Sequence, residues 1–236
     1  LANYNCSFTA IQEWNDLADL FYLLLVGTGV GFKCTPEMAA KLPPIRANVE
    51  VLHDDYKPSP PEKRLETTKW IDLEQGYAKV YIGDSKEAWV EALRLFLDIL
   101  TKHEYEHIKT IKFDYNSVRP RGERLKTFGG TASGPEPLVL TNQIDASLEP
   151  LQRAHGGYYN VRPIHILDMG NLIGNNVVVG GVRRTAEIFL MGSEDYETLL
   201  AKYAINGLWT DEQFQAHKRL GSQLEAVGKK PDWWDT

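Results

Sequence analysis

The sequence predicts an α/β fold, and three observations carry that prediction. Some segments place apolar residues at helical spacing and others alternate them strictly. The two kinds follow one another along the chain, and 236 residues at 43% hydrophobic content suffice to bury a sizeable core. In order, Asn15 or Asp16 caps a helix with apolar positions Leu17, Leu20, Phe21, Leu24 and Leu25, and Gly27 ends it. Ile45, Ala47, Val49 and Val51 alternate with Arg46, Asn48 and Glu50, the pattern of a half-exposed strand. A proline-rich connection spans 56–62, and a strand over 77–82 leads into Gly83-Asp84-Ser85. Asp84 with Glu87 has the form of a capping box opening a helix with the stripe Trp89, Leu93, Phe96, Leu97 and Leu100. Ile111, Phe113 and Tyr115 then alternate with Lys112 and Asp114 as a strand. Further strands are expected at 161–169 and 185–191, with the short apolar run 177–179 between them. Helices at 194–206 and 211–227, the second behind a Thr210-x-x-Gln213 cap, complete the pattern.

The segment FDYNSVRPRGERLKTFGGTASGPEPL, residues 113–138, is the most informative. Arg119, Arg121, Arg124 and Lys126 precede Gly129, Gly130 and Gly134, so backbone N–H groups can approach an anion beside a cluster of cations. That chemistry suits a polyphosphate. The net charge of −6 argues against a general nucleic-acid surface, so anion binding is local. No apolar run reaches the length of a membrane helix. Two cysteines, Cys6 and Cys34, are too few for a disulfide scaffold and lack zinc spacing, which fits a reducing cytoplasm. The six histidines show no metal spacing, so no metal site is expected.

Read together, Asn5-Cys6, Gly27-Thr28-Gly29-Val30-Gly31-Phe32, Gly83-Asp84-Ser85, VRPRGERLKTFGGTASGP and GGVRRTAEI (180–188) resemble the adenosylcobalamin-dependent, monomeric class of ribonucleoside-triphosphate reductase. The resemblance implies part of the ten-stranded α/β barrel of ribonucleotide reductases with an inserted allosteric subdomain. Residues 1–34 would hold the first barrel strand and helix, 35–112 the insertion, and 113–236 further barrel elements with two specificity loops at 116–134 and 180–187. It implies a ribonucleoside triphosphate substrate and a deoxynucleoside triphosphate effector. Thioredoxin or a similar dithiol is the implied reductant. Adenosylcobalamin is the cofactor of the complete enzyme, its site outside this chain.

By that resemblance Cys6 is one of the reducing thiols; read from the residues alone it is a small buried apolar side chain. Asn5, Gly29, Gly31 and Arg183 are implied at the substrate. Asp84, Ser85, Arg119 and Lys126 are implied at the effector triphosphate, where the plain readings are a helix cap and a solvated loop. For Arg183 or Arg184 the plain reading is an ion pair to Glu187. Cys34 matches no redox cysteine of the family and reads as structural.

The family's thiyl cysteine has no counterpart here, since no cysteine follows Cys34. A split gene whose C-terminal half is a partner, an intein- or intron-interrupted precursor and a truncation all fit the absence of that cysteine. Two other classes stand beside the reductase. One is a non-catalytic nucleotide-binding module that keeps the effector site. The other is a nicotinamide or flavin oxidoreductase, suggested by GTGVG but lacking the GxGxxG spacing.

Overall fold

The computed structural model describes residues 5–73, 75–125, 131–135, 157–179, 182–183, 186–201 and 210–230. Lys126, the glycines at 129–130 and residues 180, 181, 184 and 185 of the 180–187 loop lie outside them. The chain forms two compact units, Leu1–Gly192 and Ser193–Thr236.

In the first unit, β1 (Cys6–Ala10), β2 (Gly29–Lys33) and β11 (Glu187–Leu190) make a parallel sheet in the order β1-β2-β11. Helix α1 (Asn15–Leu25) joins β1 to β2 and buries Leu17, Leu20, Phe21 and Leu24, as its spacing predicts. Its start is held by Asp16, whose carboxylate accepts from the N–H groups of Gln12 and Glu13 at 2.7 and 2.9 Å. Gly27 follows the helix at φ +90°, a conformation costly for a residue with a Cβ. A short helix, α2 (Pro36–Ala39), follows β2.

The second sheet has the order β4-β7-β6-β5, with β4 (Glu50–His53), β5 (Lys69–Leu73), β6 (Tyr77–Tyr81) and β7 (Thr110–Asp114). β6, α3 (Lys86–Thr101) and β7 form a βαβ unit, while β5 pairs antiparallel to β6 across a turn with Gln75 and Gly76 at positive φ. α1 packs on α3, and Leu93, Phe96, Leu97 and Leu100 join Phe113 and the α1 leucines in one core. β3 (Ile45–Arg46) pairs with β8 (Tyr158–Tyr159), and β9 (Val178–Val179) with β10 (Val182–Arg183). In the second unit, Asp195 caps α5 (Tyr196–Leu200) through Thr198 N–H at 3.3 Å, and α6 spans Asp211–Ala226.

Four expectations are corrected. The strand expected over 45–51 is two: β3 turns antiparallel to β8, and β4 joins a different sheet in parallel with β7. Arg46, assigned to the solvent side by alternation, is 1% exposed, because its guanidinium donates to the carbonyls of Ile99, Glu106 and Ile108. Residues 161–169 are no strand; Pro163 opens helix α4 (Pro163–Asn176), whose Ile166, Met169, Gly170 and Ile173 recur at helical spacing. Helix α3 is capped by Ser85, whose Oγ accepts from Ala88 N–H at 3.1 Å, and not by Asp84. The edge strand β5 was not expected at all.

Candidate functional site

Successive side chains of a strand point to opposite faces, so the β1-β2-β11 sheet has two distinct surfaces. Val30, Phe32 and Phe189 form one, under the helices. Phe32 lies against Gly170 of α4, and its ring centroid is 4.9 Å from that of Phe189. The other surface carries Cys6, Phe8, Gly29, Gly31, Ile188 and Leu190. Cys6 is exposed, Phe8 is 54% exposed and Ile188 62%, so among the described residues this surface is uncovered.

Gly31 stands in register with Phe8 on one side and Ile188 on the other. A Cβ there would meet Phe8 Cδ2 at 2.9 Å and Ile188 Cγ2 at 3.3 Å, so the two apolar side chains close over it only because it is glycine. Gly29, opposite Cys6, leaves a low floor beside the thiol.

The Cys6 strand is locked in place by short polar contacts. Gly29 N–H donates to Asn5 O at 2.9 Å, Ser7 Oγ and Thr28 Oγ1 are 3.1 Å apart, and Thr28 Oγ1 donates to Leu23 O at 2.9 Å. The structure therefore brings Asn5, Cys6, Gly29 and Gly31 together. Arg183 lies on the β9–β10 hairpin, opposite Val178, before β11 begins. Cys34 is fully buried, and neither cysteine forms a disulfide.

The second cluster sits at the C-terminal ends of β6 and β7, the end at which open parallel sheets commonly receive ligands. Asp84 follows β6, and Arg119 lies in the loop after β7. Their side chains are paired: Arg119 Nε donates to both Asp84 oxygens at 3.0 and 3.1 Å, and Nη2 to Oδ2 at 2.8 Å. Arg119 Nη1 donates to Arg124 O at 3.1 Å, and Arg119 N–H donates to Asp84 Oδ1 at 3.2 Å. At 8% exposure, Arg119 is thus spent on holding its own loop.

The loop continues as a narrow hairpin stem. Gly122 N–H donates to Ala132 O at 2.9 Å, Ala132 N–H donates to Glu123 O at 2.7 Å, and Arg124 bridges to Thr131. Arg121 and Arg124 are exposed on this stem. Gly134 adopts positive φ, as its place in the glycine-rich turn predicts, and Gly122 does so too. Ser85 is at the start of α3, where its Oγ also donates to Glu66 O at 2.6 Å; Lys126 lies outside the described residues.

Two charged residues of this cluster, Arg64 and Glu123, are not among those that the sequence singles out. Arg64 donates to Glu123 from Nη1 and Nη2 at 2.5 and 2.8 Å, and lies 3.9 Å from Asp84. Its hydrogen bond to Glu123 raises the Arg64 pKa against the opposing effect of burial, and the same bond lowers that of Glu123. The signal was an acidic residue inside a run otherwise read for its cations.

No group of three His, Cys, Asp or Glu side chains gathers as a metal site among the described residues, and no described helix is long and apolar enough to cross a membrane. Residues 48–146 match the sequence profile of the insertion domain of B12-dependent ribonucleotide reductase. An adenosylcobalamin-dependent ribonucleoside-triphosphate reductase of Lacticaseibacillus paracasei is 31% identical over 193 residues, 78% of this chain and 25% of that protein. A protein of the same name from Euglena gracilis is 32% identical over 192 residues, 78% of this chain and 21% of that protein. The crystal structure of a B12-dependent (class II) ribonucleotide reductase shares the fold at a TM-score of 0.69. It is 21% identical, covering 92% of this chain and 34% of that one. The chain thus spans about a quarter of the length of these curated relatives.

Proposed function

The chain is homologous to the adenosylcobalamin-dependent, class II ribonucleotide reductases, and from that premise we propose that it forms part of the substrate and effector sites of a ribonucleoside-triphosphate reductase. The observation that carries the reading is the exposed Cys6 thiol on a sheet surface uncovered among the described residues, beside Gly29, whose missing side chain leaves room next to the sulfur. Replacing a ribose 2′-hydroxyl by hydrogen, with loss of water, takes two electrons and two protons. Two thiols that close to a disulfide supply both. Cys6 is one of the pair in this proposal, and the second belongs to sequence outside the chain. Asn5, Gly29, Gly31 and Arg183 belong to the substrate side in this proposal. Adenosylcobalamin starts the radical reaction in the complete enzyme; we assign none of its contacts to this chain. Thioredoxin or a similar dithiol restores the thiols.

The effector, a deoxynucleoside triphosphate, sits in this reading where the α3 start meets the 119–134 loop. Asp84 and Arg119 shape that site as its wall, by pairing with each other. Direct contact with phosphate falls to Ser85, Arg121, Arg124 and Lys126.

The test joins the chain to the C-terminal portion of such a reductase and supplies a ribonucleoside triphosphate, adenosylcobalamin and a dithiol. Deoxynucleotide forms over many turnovers, and Cys6→Ser stops it. Undiminished turnover in Cys6→Ser overturns the redox role. Binding of deoxynucleoside triphosphates without turnover in any combination would instead mark a regulatory nucleotide-binding module.

A further inference from the structure

The loop that carries the arginines is held from a direction the sequence does not suggest. Residues 56–68 cross the C-terminal ends of β6 and β7 as a strap. Tyr56 OH donates to Val118 O at 2.8 Å, Lys57 N–H to Asn116 Oδ1 at 2.6 Å, and Ser59 N–H to Asn116 O at 2.7 Å. Farther along, Leu65 N–H donates to Ser117 Oγ at 3.1 Å, and Asp84 N–H to Leu65 O at 2.7 Å. The strap lies so close that a Cβ on Gly83 would meet the backbone of Glu66 and Thr67 at 2.7 to 2.8 Å.

Arg64 is the link between strap and loop. Its Nε donates to Ser59 O at 2.9 Å, which fixes the side chain within the strap, and its two terminal nitrogens grip Glu123 on the hairpin stem. Asp84 and Arg119 make the matching link from the α3 start to the root of the same loop. A planar guanidinium with three hydrogen-bonding directions suits this role, and an ammonium does not.

We propose that Arg64 is a positioning residue: through Glu123 it fixes the stem of the 119–134 loop, so that a nucleotide at the loop and the strap over the β4-β7-β6-β5 sheet act on each other. The role of the loop as nucleotide ligand rests on the function proposed above; the positioning of the stem by Arg64 does not.

Hydrogen exchange on the whole chain separates the two. Arg64→Ala should raise exchange of the amides at Gly122 and Ala132 at least 10-fold, while those of Ile111 and Phe113 in β7 keep their protection. Arg64→Lys should lie between. The exchanged pair Arg64→Glu with Glu123→Arg should recover most of the stem protection that either single substitution loses. In parallel, calorimetry with each of the four deoxynucleoside triphosphates should show Arg64→Ala weakening binding about 10-fold. Unchanged stem exchange in Arg64→Ala overturns the positioning role. So does equal loss of protection in stem and β7, which marks Arg64 as a general structural residue. If the unsubstituted chain binds none of the four nucleotides, the effector reading fails, and the stem exchange still decides the role of Arg64.

Discussion

Arg46 offers the most direct test of how the end of helix α3 is anchored. Helix α3 has no basic residue in its last turn, so its terminal carbonyls lack a cation of their own. Arg46 supplies it from another element: Nε and Nη2 donate to Ile99 O at 3.1 and 2.6 Å, and Nη1 donates to Glu106 O and Ile108 O at 3.1 Å each. Burial lowers the pKa of the guanidinium, the sign that its charge is held at a desolvation cost. Arg46→Ala leaves three carbonyls without this donor, each worth roughly 1–2 kcal/mol when left unmade in the interior. Water entering the vacated space returns part of that, so the expected loss is about 3 kcal/mol, a large share of an ordinary folding stability. Arg46→Lys, which keeps one charge but not the fork, should lose about half as much. Urea unfolding followed by circular dichroism reads the difference as a lower midpoint at unchanged slope. A loss below about 1 kcal/mol in Arg46→Ala would refute the reasoning, because two buried carbonyls and a partly buried one cannot go unpaired so cheaply.

Three further outcomes are expected. Gly170→Ala should lower the melting temperature: its Cβ would lie 2.3 Å from Phe32 Cζ, on a ring already packed at a tilt against Phe189. The overpacking cost of about 1–3 kcal/mol outweighs the gain of about 1 kcal/mol in helix propensity. His165 has its pKa lowered to about 4, by burial first and by Arg162 second, and its Nδ1 accepts the Arg162 N–H at 2.9 Å. The unfolded chain takes up a proton below its ordinary value near 6.5 while the folded chain does not. Stability is therefore full above that value and falls as pH drops toward 4. About 2 kcal/mol is lost between pH 7 and pH 5, and His165→Gln should flatten that slope. Iodoacetamide should label Cys6 in the folded chain and Cys34 only in urea, as mass spectrometry of the two peptides would show; equal labelling of both would contradict the burial of Cys34.

Elements whose side-chain period matched their environment were legible in the sequence. α1 and α3 present one apolar stripe each to one core, and β6 and β7 alternate because one face is packed beneath α3. Misreadings came where tertiary contact overrode local pattern. Residues 161–169 hold Val161, Ile164 and Ile166, which look extended, yet Pro163 at the first helical position and the close seat of Gly170 on Phe32 fix a helix. Arg46 reads as a surface residue because its neighbours alternate; only the loose carbonyls at the end of a helix 53 residues away explain its burial. β5 escaped notice because every residue in it is exposed, so no core face marks it.

The candidate sites divide along the same line. Glycines announce close approach, and Gly29, Gly31 and Gly83 all stand where backbone or an apolar side chain passes near, so the glycine motifs pointed to real junctions. Charge is a poorer guide, since a cluster of arginines on the page does not say which of them face a ligand. Arg64 and Arg119 meet Glu123 and Asp84, and the four charges cancel within the fold. Among the described residues of the loop, Arg121 and Arg124 are exposed and stand outside that quartet. An anion drawn to the loop should accordingly lose affinity with added salt, while the Arg64–Glu123 and Arg119–Asp84 pairs, partly desolvated, keep the stem in place at salt concentrations that screen the exposed charges.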